Sequence, residues 1–293
     1  MKSGFVSIIG RPNTGKSTLL NTILDNHIAI VSNVAGTTRN TVQGVYNDAE
    51  TQIVFVDTPG IHKPKDRLGK YLNRQSYDAL HDIDLVLFVV DAASGAGKGD
   101  NFILEALKNI DTPVILVLNK IDKLDDAGIL KAIKDYKDLY NFAEIIPISA
   151  LKNDNINRLI PLIKKYLTDE IMYYDDGTIT NTSIYFMLSE LVREKILNLT
   201  NDEVPHSITC VTTHYKENGN VIDVYVDIII DRDSLKKIII GKQGSMLKNI
   251  GSLARRDMET LLGKQVYLEL FVKTIKNWRD KERYLQELGF KEE

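Results

Sequence analysis

The sequence GRPNTGKST (residues 10–18) follows the apolar run FVSII and precedes the helix-like LLNTIL. Two glycines with four residues between them, followed by lysine and serine, are typical of a loop that wraps its backbone N–H groups around a phosphate. Unpaired donors and the helix dipole make the following helix start attractive to anions. We expect Lys16 to reach the β- and γ-phosphates and the Ser17 hydroxyl to ligate Mg²⁺. The sequence therefore predicts a P-loop nucleotide site.

Composition places the chain among globular proteins long enough for two domains. It has 293 residues, 43% hydrophobic and 26% charged, with a net charge of -3. The single cysteine, Cys210, excludes an internal disulfide. The amino terminus shows no signal-peptide pattern, and no apolar run approaches the ~18 residues of a spanning helix. We expect a cytoplasmic protein whose membrane contact, if it has any, is peripheral.

Short apolar runs recur through the first 150 residues, and helix-like stretches separate most of them. The runs are continuous rather than alternating, as in strands buried on both faces. They are FVSIIG (5–10), QIVFVDT (52–58), LVLFVVD (85–91), VILVLNK (114–120) and EIIPIS (144–149), and the helix-like stretches are 16–25, 69–80, 101–109, 128–140 and 155–167. TVQGVYN (41–47) can pair antiparallel with the second run. This order predicts an α/β domain with a mixed, mostly parallel sheet and helices on both faces.

The composition changes after residue 167, where TDEIMYYDDGTITNTS (168–183) is polar, acidic and turn-rich. We place the domain boundary here. Beyond it the patterns predict a helix (183–198), two strands (207–215 and 221–230), a basic helix–turn–helix stretch (234–261), a strand (265–273) and a closing charged helix (275–287). The predicted organisation is a nucleotide-binding domain over 1–170, a linker over 171–182 and an α+β domain over 183–293.

The motif NKID (119–122) decides which base the site takes. It follows a buried strand and so lies at the carboxyl edge of the sheet, where such folds bind ligands. A carboxylate at Asp122 can accept from guanine N1–H and the N2 amino group, whereas adenine would leave this charge desolvated and unpaired. Lys120 can lie over the purine face, and Asn119 can tie this loop to the P-loop. The motif favours a guanine nucleotide.

SAL (149–151) follows the next strand and would bring the Ala150 N–H to guanine O6. Alone it is a weak signal, and it gains weight from its position in a P-loop fold. Together with the other motifs it completes the predicted nucleotide site. The residues expected to bind GTP or GDP are Gly10, Arg11, Pro12, Asn13, Thr14, Gly15, Lys16, Ser17, Thr18, Asp57, Thr58, Pro59, Gly60, Asn119, Lys120, Asp122, Ser149, Ala150 and Leu151.

Two loops between these motifs have the character of switches. DTPG (57–60) ends a strand with a carboxylate placed to hold a magnesium-bound water, and the Gly60 N–H can sense a γ-phosphate. GTTR (36–39) supplies hydroxyls, of which we expect Thr38 to be the second protein ligand to Mg²⁺. Both loops should order only when the γ-phosphate is present. The residues predicted to hold the metal, directly or through a bound water, are Ser17, Thr38 and Asp57.

A basic stretch in the second domain indicates an RNA partner. Residues 232–256 hold seven Lys or Arg and one acid. Within it, IIIGKQGSMLKNI (238–250) places a G-x-x-G turn between two helical stretches, with Ser245 able to cap the second. The pattern resembles the type II KH domain, whose loop clamps ~4 single-stranded nucleotides. The expected RNA-binding residues are Ile240, Gly241, Lys242, Gln243, Gly244, Ser245, Lys248, Arg255 and Arg256, and the residues expected to form the groove wall or the core are Ile238, Ile239, Ile240, Leu247 and Ile250.

The order GRPNTGKS, TTR, DTPG, NKID and SAL, followed by a KH-like domain, resembles the Era family of GTPases across essentially the whole chain. This resemblance implies a GTP-hydrolysing switch that binds the 3′ end of 16S ribosomal RNA and acts in assembly of the 30S subunit. It also implies Mg²⁺ as cofactor and permits peripheral association with the inner membrane. We expect a monomer.

The sequence leaves the catalytic step less defined. Ile61 occupies the position where Ras-like GTPases carry a water-orienting Gln, so we expect slow intrinsic turnover. The resemblance suggests a K⁺ ion held partly by Asn13, although an ordinary loop-capping role for this residue stays open. Arg39 is the other candidate for the same charge. The residues expected to act in hydrolysis are Lys16, Asn13, Thr38 and Gly60.

Three alternatives differ in partner or reaction. A P-loop metabolic kinase would prefer ATP, and NKID argues against it. A tRNA-modifying GTPase shares the TTR and DTPG loops, but the related enzymes use a terminal cysteine motif and a folate-binding domain. A membrane-surface GTPase would need an amphipathic anchor, which the sequence does not show.

Overall fold

The structure, a computed structural model, describes residues 1–290 and divides into two units. The first comprises Met1–Ala29, Thr38–Pro64 and Gly69–Asn181, and the second comprises Ile30–Thr37, Lys65–Leu68 and the chain from Thr182 onward. Among the described residues, no helix has both the length and the hydropathy required to cross a bilayer. Each unit has its own sheet and its own buried core.

The first unit is built on a six-stranded sheet of order β2-β3-β1-β4-β5-β6. All neighbouring strands run parallel except β2, which pairs antiparallel with β3. The strands are β1 (Lys2–Ile9), β2 (Val42–Asp48), β3 (Thr51–Asp57), β4 (Leu85–Asp91), β5 (Val114–Asn119) and β6 (Glu144–Pro147), and the helices are α1 (Lys16–Leu24), α2 (Arg67–Asp78), α3 (Lys98–Leu107), α4 (Asp126–Lys137) and α5 (Ile156–Ile163). The mixed sheet expected from the apolar runs is confirmed.

Hydrophobic packing fixes the carboxyl ends of the strands. Every residue of β3 and β5 is buried, because helices cover the sheet. On one face, Phe88 packs in a cluster with Ile103 of α3 and Tyr136 of α4. The parallel register sets Asp91 beside Asn119 where β4 and β5 end. Polar side chains therefore gather at one rigid edge, which is where the nucleotide motifs lie.

The segment expected to be a linker, residues 171–182, packs along the edge of this sheet up to Asn181. The Val45 N–H donates to Ile179 O at 2.8 Å. The Gln52 side chain accepts from the N–H groups of Tyr173 and Tyr174 and donates to Tyr174 O. The Val45 bond occupies part of the edge of β2 that would otherwise be free to pair, and the Gln52 bonds hold the segment beside β3.

The second unit is a three-stranded sheet covered by helices on one face. β8 pairs antiparallel with β7 and parallel with β9. The elements are α6 (Ile184–Leu199), β7 (Ile208–Asn218), β8 (Val221–Ile230), α7 (Lys236–Ile240), α8 (Ser245–Leu262), β9 (Gln265–Thr274) and α9 (Glu282–Glu287). This is the element order expected of a type II KH domain.

The closing helix is shorter than the sequence predicts. Instead of spanning 275–287, it is confined to Glu282–Glu287. Asn277 adopts a left-handed backbone conformation with φ of 54°, which interrupts a helix. The following Trp278 lies fully buried, and its indole N–H donates to Ser207 O at 3.2 Å. Burial of this ring outweighs local helix propensity.

Candidate nucleotide site and RNA-binding groove

The phosphate loop leaves β1 and enters α1 through Gly15. Gly15 has φ of 95°, and a Cβ there would lie 2.3 Å from Asn119 Nδ2. Only glycine therefore allows both this turn and the close approach of Asn119. Asn119 Nδ2 donates to Thr14 O at 2.8 Å, which ties the NKID motif to the phosphate loop. The link is the one that the sequence predicts.

Lys16 is held in a buried position inside this loop. Its ammonium group donates to Gly10 O at 3.3 Å and to Arg11 O at 3.1 Å. Burial lowers the pKa of Lys16 to about 8, although the charge of Asp57 opposes this. Phosphate oxygens are stronger acceptors than the two carbonyls. The buried charge is thus oriented for a phosphate at the start of α1.

Three oxygen-bearing side chains converge at the predicted magnesium position. The Ser17 hydroxyl donates to Asp57 Oδ2 at 2.6 Å and lies 2.9 Å from the Thr38 hydroxyl. Burial raises the pKa of Asp57 to about 6, while Lys16 and the Ser17 bond work against this. Asp57 Oδ1 is buried without a hydrogen-bond partner. A hard cation would satisfy this oxygen, so the residues fit Mg²⁺, which prefers oxygen ligands and phosphates.

The described residues hold no cluster of three or more His, Cys, Asp or Glu suited to a metal. The predicted magnesium site differs from such clusters because it combines one carboxylate with two hydroxyls. Mg²⁺ typically keeps several waters and takes substrate phosphates as ligands, so few protein ligands suffice. The ion would supply positive charge next to the phosphates when it is bound.

The DTPG loop packs directly on the phosphate loop. A Cβ at Gly60 would lie 2.6 Å from Pro12 N and 2.7 Å from Pro12 Cα, so the two backbones are in contact. The next residue, Ile61, donates its N–H to Gly10 O at 3.2 Å, and its side chain is buried in the core. The Ile61 side chain therefore offers nothing to an attacking water, as the sequence predicts.

Two residues of α2 that the sequence analysis missed hold this loop in place. The Ser76 hydroxyl donates to Pro59 O at 2.8 Å. The Asn73 side chain donates to His62 O at 2.6 Å and accepts from the His62 N–H at 3.2 Å. Polar residues within a helical pattern gave no signal of this role, because their partners are distant in sequence.

The base-recognition residues are positioned by polar contacts. The Ser149 hydroxyl donates to Asp122 Oδ1 at 2.5 Å, which orients the carboxylate. Lys120 Nζ donates to Asn13 O at 2.5 Å and pairs with Asp91 Oδ2 at 2.7 Å. Burial alone would raise the pKa of Asp91, but the Lys120 ammonium holds it below its usual range. Asp91 ends β4, so the strand-end argument used for Asn119 could have found it.

One predicted contact takes a different form in the structure. The Ala150 N–H, expected to point at guanine O6, donates to Asn119 Oδ1 at 3.0 Å. The cause is the position of Asn119, whose amide spans Thr14 O on one side and Ala150 on the other. Thr22 of α1 adds a further link, with its hydroxyl donating to Ala150 O at 2.9 Å. Leu151 is exposed.

The remaining residues of the predicted nucleotide set stay close to the phosphate loop. The Thr58 hydroxyl donates to Ile8 O at 2.8 Å, and the Thr14 hydroxyl donates to Arg11 O at 3.1 Å. Thr18 O accepts from the Thr22 hydroxyl at 2.8 Å. These contacts rigidify the loop around the expected phosphate position.

The second unit contains a groove of about 580 Å³ between α8 and β9. Its lining combines basic side chains with an apolar floor, as is typical of a surface that binds single-stranded nucleic acid. The lining residues are Gly244, Leu247, Lys248, Gly251, Ser252, Arg255, Leu268 and Leu270. The β9 residues Leu268 and Leu270 were missed, because an apolar strand residue looks the same whether it faces a groove or a core.

The G-x-x-G loop stands at one end of this groove with Lys242 and Gln243 exposed. Ser245 does not cap α8 as predicted, because it is the first residue of the helix itself, and the capping position is Gly244 in a left-handed conformation. Ile239 and Ile250 are buried in the core, whereas Ile238 and Ile240 are exposed. Arg255 lines the groove, and Arg256 is exposed outside its lining.

Comparison with known families matches both units. The family model described as "50S ribosome-binding GTPase" matches residues 5–120. The model described as "KH domain" matches residues 203–279. The first match includes the phosphate loop, the DTPG loop and the start of NKID, and the second includes the G-x-x-G loop and the groove.

Two solved structures resemble the entire chain. One is Era in complex with MgGDPNP and nucleotides 1506–1542 of 16S ribosomal RNA, at 41% identity and a TM-score of 0.96, covering 99% of each chain. The other is a single-residue variant of Aquifex aeolicus Era bound to GDP·AlF4⁻, with the same identity, coverage and TM-score. The shared loops, the KH groove and this likeness over the full length lead to one conclusion: the chain belongs to the Era family of GTPases.

Proposed function

We propose that this GTPase binds the single-stranded 3′ end of 16S ribosomal RNA through the groove beside residues 241–244, and acts in maturation of that RNA and assembly of the 30S subunit. The observation that carries the proposal is the 99% coverage by a solved Era structure that contains that RNA segment. The basic and apolar lining of the groove supports it, because phosphates and unstacked bases need these two kinds of surface.

The nucleotide site operates through the residues already described. Asp122, oriented by Ser149, selects guanine, while Lys16 and the N–H groups at the start of α1 hold the phosphates. Ser17, Thr38 and Asp57 would hold Mg²⁺. The Gly60 backbone, packed on Pro12, is close enough to the phosphate loop to respond to the γ-phosphate. Loss of that phosphate would release Thr38 and Gly60 and so report the state of the nucleotide.

We infer that intrinsic hydrolysis is slow and that K⁺ accelerates it. The buried Ile61 side chain cannot orient water, so another group must position it. A cation beside the transferred phosphate would supply the positive charge that an arginine finger gives in other GTPases. Asn13 is exposed with φ of 64°, and its amide oxygen is a ligand type suited to K⁺. GTP turnover should be faster in potassium chloride than in sodium chloride at equal ionic strength. Equal rates would exclude a role for K⁺ in hydrolysis and favour an ordinary turn-capping role for Asn13.

RNA affinity in three nucleotide states tests the proposed switch. An oligonucleotide matching the 3′ end of 16S rRNA should bind more tightly with GDPNP than with GDP or without nucleotide. Changing both Lys242 and Gln243 to Asp should abolish RNA binding and leave GTP affinity intact. Equal RNA affinity in all three states would contradict the switch, and unchanged affinity in the double variant would contradict the groove assignment.

We also propose that the protein is a cytoplasmic monomer that associates with the 30S subunit and, peripherally, with the inner membrane. Cell fractionation and cosedimentation with purified subunits test the location and the partner, and sedimentation velocity tests the oligomeric state. The tRNA-modifying alternative gains no support, since the two solved structures that match 99% of the chain are of Era and the single cysteine, Cys210, is buried in β7.

A further inference from the structure

A buried acidic residue on α3 pairs with the phosphate loop. Asp100 is completely buried, and its Oδ1 lies 2.9 Å from Arg11 Nε. Arg11 follows the first glycine of the loop, and its side-chain stem lies over α3 so closely that a Cβ at Gly99 would be 2.6 Å from Arg11 Cδ. A buried carboxylate is unfavourable unless it is paired and hydrogen-bonded. The partners of Asp100 must therefore offset the free-energy cost of burying its charge.

Asp100 also binds two groups besides Arg11. Its Oδ2 accepts from the Gly97 N–H at 2.9 Å and from the Tyr136 hydroxyl at 3.2 Å. Burial raises the pKa of Asp100, and the three partners oppose that rise. Tyr136 is itself fully buried and belongs to α4, the helix that follows the NKID motif. One carboxylate therefore joins the phosphate loop, α3 and α4.

The position of Arg11 affects the group that meets the phosphates. The Arg11 carbonyl accepts from Lys16 Nζ at 3.1 Å and from the Thr14 hydroxyl at 3.1 Å. A displaced Arg11 would move the acceptor that holds Lys16 as well as the first turn of the loop. Because reacting groups must be held within fractions of an ångström, such a shift weakens phosphate binding although no ligand contact is removed.

We propose that Asp100 and Tyr136 are positioning residues for nucleotide binding, which hold the phosphate loop in its binding conformation through Arg11. The network connects the helix after the guanine-specifying motif to the loop that takes the phosphates. This inference concerns the nucleotide site alone, so it does not depend on the proposed RNA partner. An experiment that disproved RNA binding would not affect the proposed role of Asp100 and Tyr136.

Release of fluorescently labelled GDP from the full-length protein tests the network. Asp100→Asn should accelerate release about tenfold, the equivalent of one lost charge-assisted interaction. Arg11→Met should do the same, and the double variant should be no faster than the faster single variant, because the two residues act through one contact. Arg11→Lys, which keeps the positive charge, should accelerate GDP release less than Arg11→Met does. Tyr136→Phe, which keeps the ion pair, should accelerate release about threefold.

The phosphorus NMR spectrum of bound GDP distinguishes a role of Asp100 in positioning the phosphate loop from a role in fold stability alone. In Asp100→Asn the β-phosphate resonance should shift, since the loop around it has moved. Glu105→Gln is the matched control, because it removes a carboxylate from the same helix at an exposed pair with Lys108. A lower melting temperature with unchanged GDP release and unchanged β-phosphate resonance would overturn the proposal. Should Asp100→Asn fail to fold, unchanged release in Tyr136→Phe would overturn it equally.

Discussion

The two glycine-bearing loops of this protein hold their lysines in opposite environments. In the loop of residues 10–18, Lys16 is 6% exposed and donates to two backbone carbonyls. In the loop of residues 241–244, Lys242 stands exposed on the surface. The first lysine has already lost its water, whereas the second exchanges water and counterions each time it binds. Burial should give affinity and selectivity, and exposure should give salt-dependent, adjustable binding.

The same contrast appears in how the loops are supported. The phosphate loop is linked to β5 by Asn119, to the DTPG loop by the contact of Gly60 with Pro12, and to α3 by Arg11. Around the G-x-x-G loop, by contrast, Lys248 and Arg255 are exposed. A preorganised site binds one ligand of fixed shape, whereas an open basic groove suits a flexible strand.

The largest expected effect tests selectivity in the buried site. Asp122→Asn should reverse base preference from guanine to xanthine, because the amide donates where the carboxylate accepted. The ratio of GDP to XDP affinity should change by a factor on the order of 10⁴, as for other sites built to pair a polar group. Competition against labelled nucleotide measures it, with Asp126→Asn at the start of α4 as control. Retained tight GDP binding without XDP binding would remove the basis for guanine selection.

Lys16→Met addresses the buried charge directly. Removing the ammonium group eliminates its charge-assisted bonds to the β-phosphate, so GDP affinity should fall by a factor on the order of 10² to 10³. The loss should vary little with salt, because the group is desolvated before binding. Titration at two salt concentrations measures both quantities. A loss that disappears at high salt would place Lys16 in the same class as the exposed lysines.

Magnesium binding should depend on pH in a range unusual for an aspartate. Burial raises the pKa of Asp57 to about 6, so the carboxyl group takes up a proton as the pH falls through that value. A protonated carboxyl group cannot ligate the ion, and Mg²⁺ affinity of the GDP-bound protein should fall about tenfold per pH unit below about 6. Titration from pH 7.5 to 5 measures this. Constant affinity down to pH 5 would contradict the shifted pKa, and Asp57→Asn should bind weakly at every pH.

The smallest expected effect belongs to the exposed loop. Lys242→Gln should weaken RNA binding about threefold and reduce the slope of log affinity against log salt by about 0.7, the loss of one counterion-releasing contact on a single strand. Lys108→Gln, which removes an exposed lysine of the first unit, should change neither quantity. If Lys242→Gln weakened binding a hundredfold with no change in slope, Lys242 would be acting as a fixed contact like Lys16.

Much of the candidate site could be predicted because its groups follow buried strands. The β3, β4 and β5 runs are continuous and apolar, and polar residues at their ends must lie along one edge of a parallel sheet. This logic placed Asp57 and Asn119 along the same edge of the sheet, at the ends of β3 and β5, and could have found Asp91 at the end of β4. It could not find Asn73, Ser76 or Asp100, because polar residues inside helices face solvent as readily as the site.

Local pattern alone was weakest where packing or left-handed backbone decides the structure. The closing helix was predicted seven residues too early at its start, since Asn277 turns the chain so that Trp278 can be buried. Ser245 was expected to cap α8 and instead begins it, because Gly244 adopts the capping conformation. Each difference comes from a backbone angle that residue type permits but does not require.

By itself the sequence determined the two-domain order, the mixed sheet, the guanine motif and the G-x-x-G loop, since strand runs and glycine-bearing turns are local features. Only the tertiary structure decided that Asp100 and Tyr136 support the phosphate loop, that Ala150 pairs with Asn119, and that β9 forms the groove floor. These outcomes depend on which distant side chains share a buried space, and hydrogen bonds between elements far apart in the chain leave no periodic trace in the sequence.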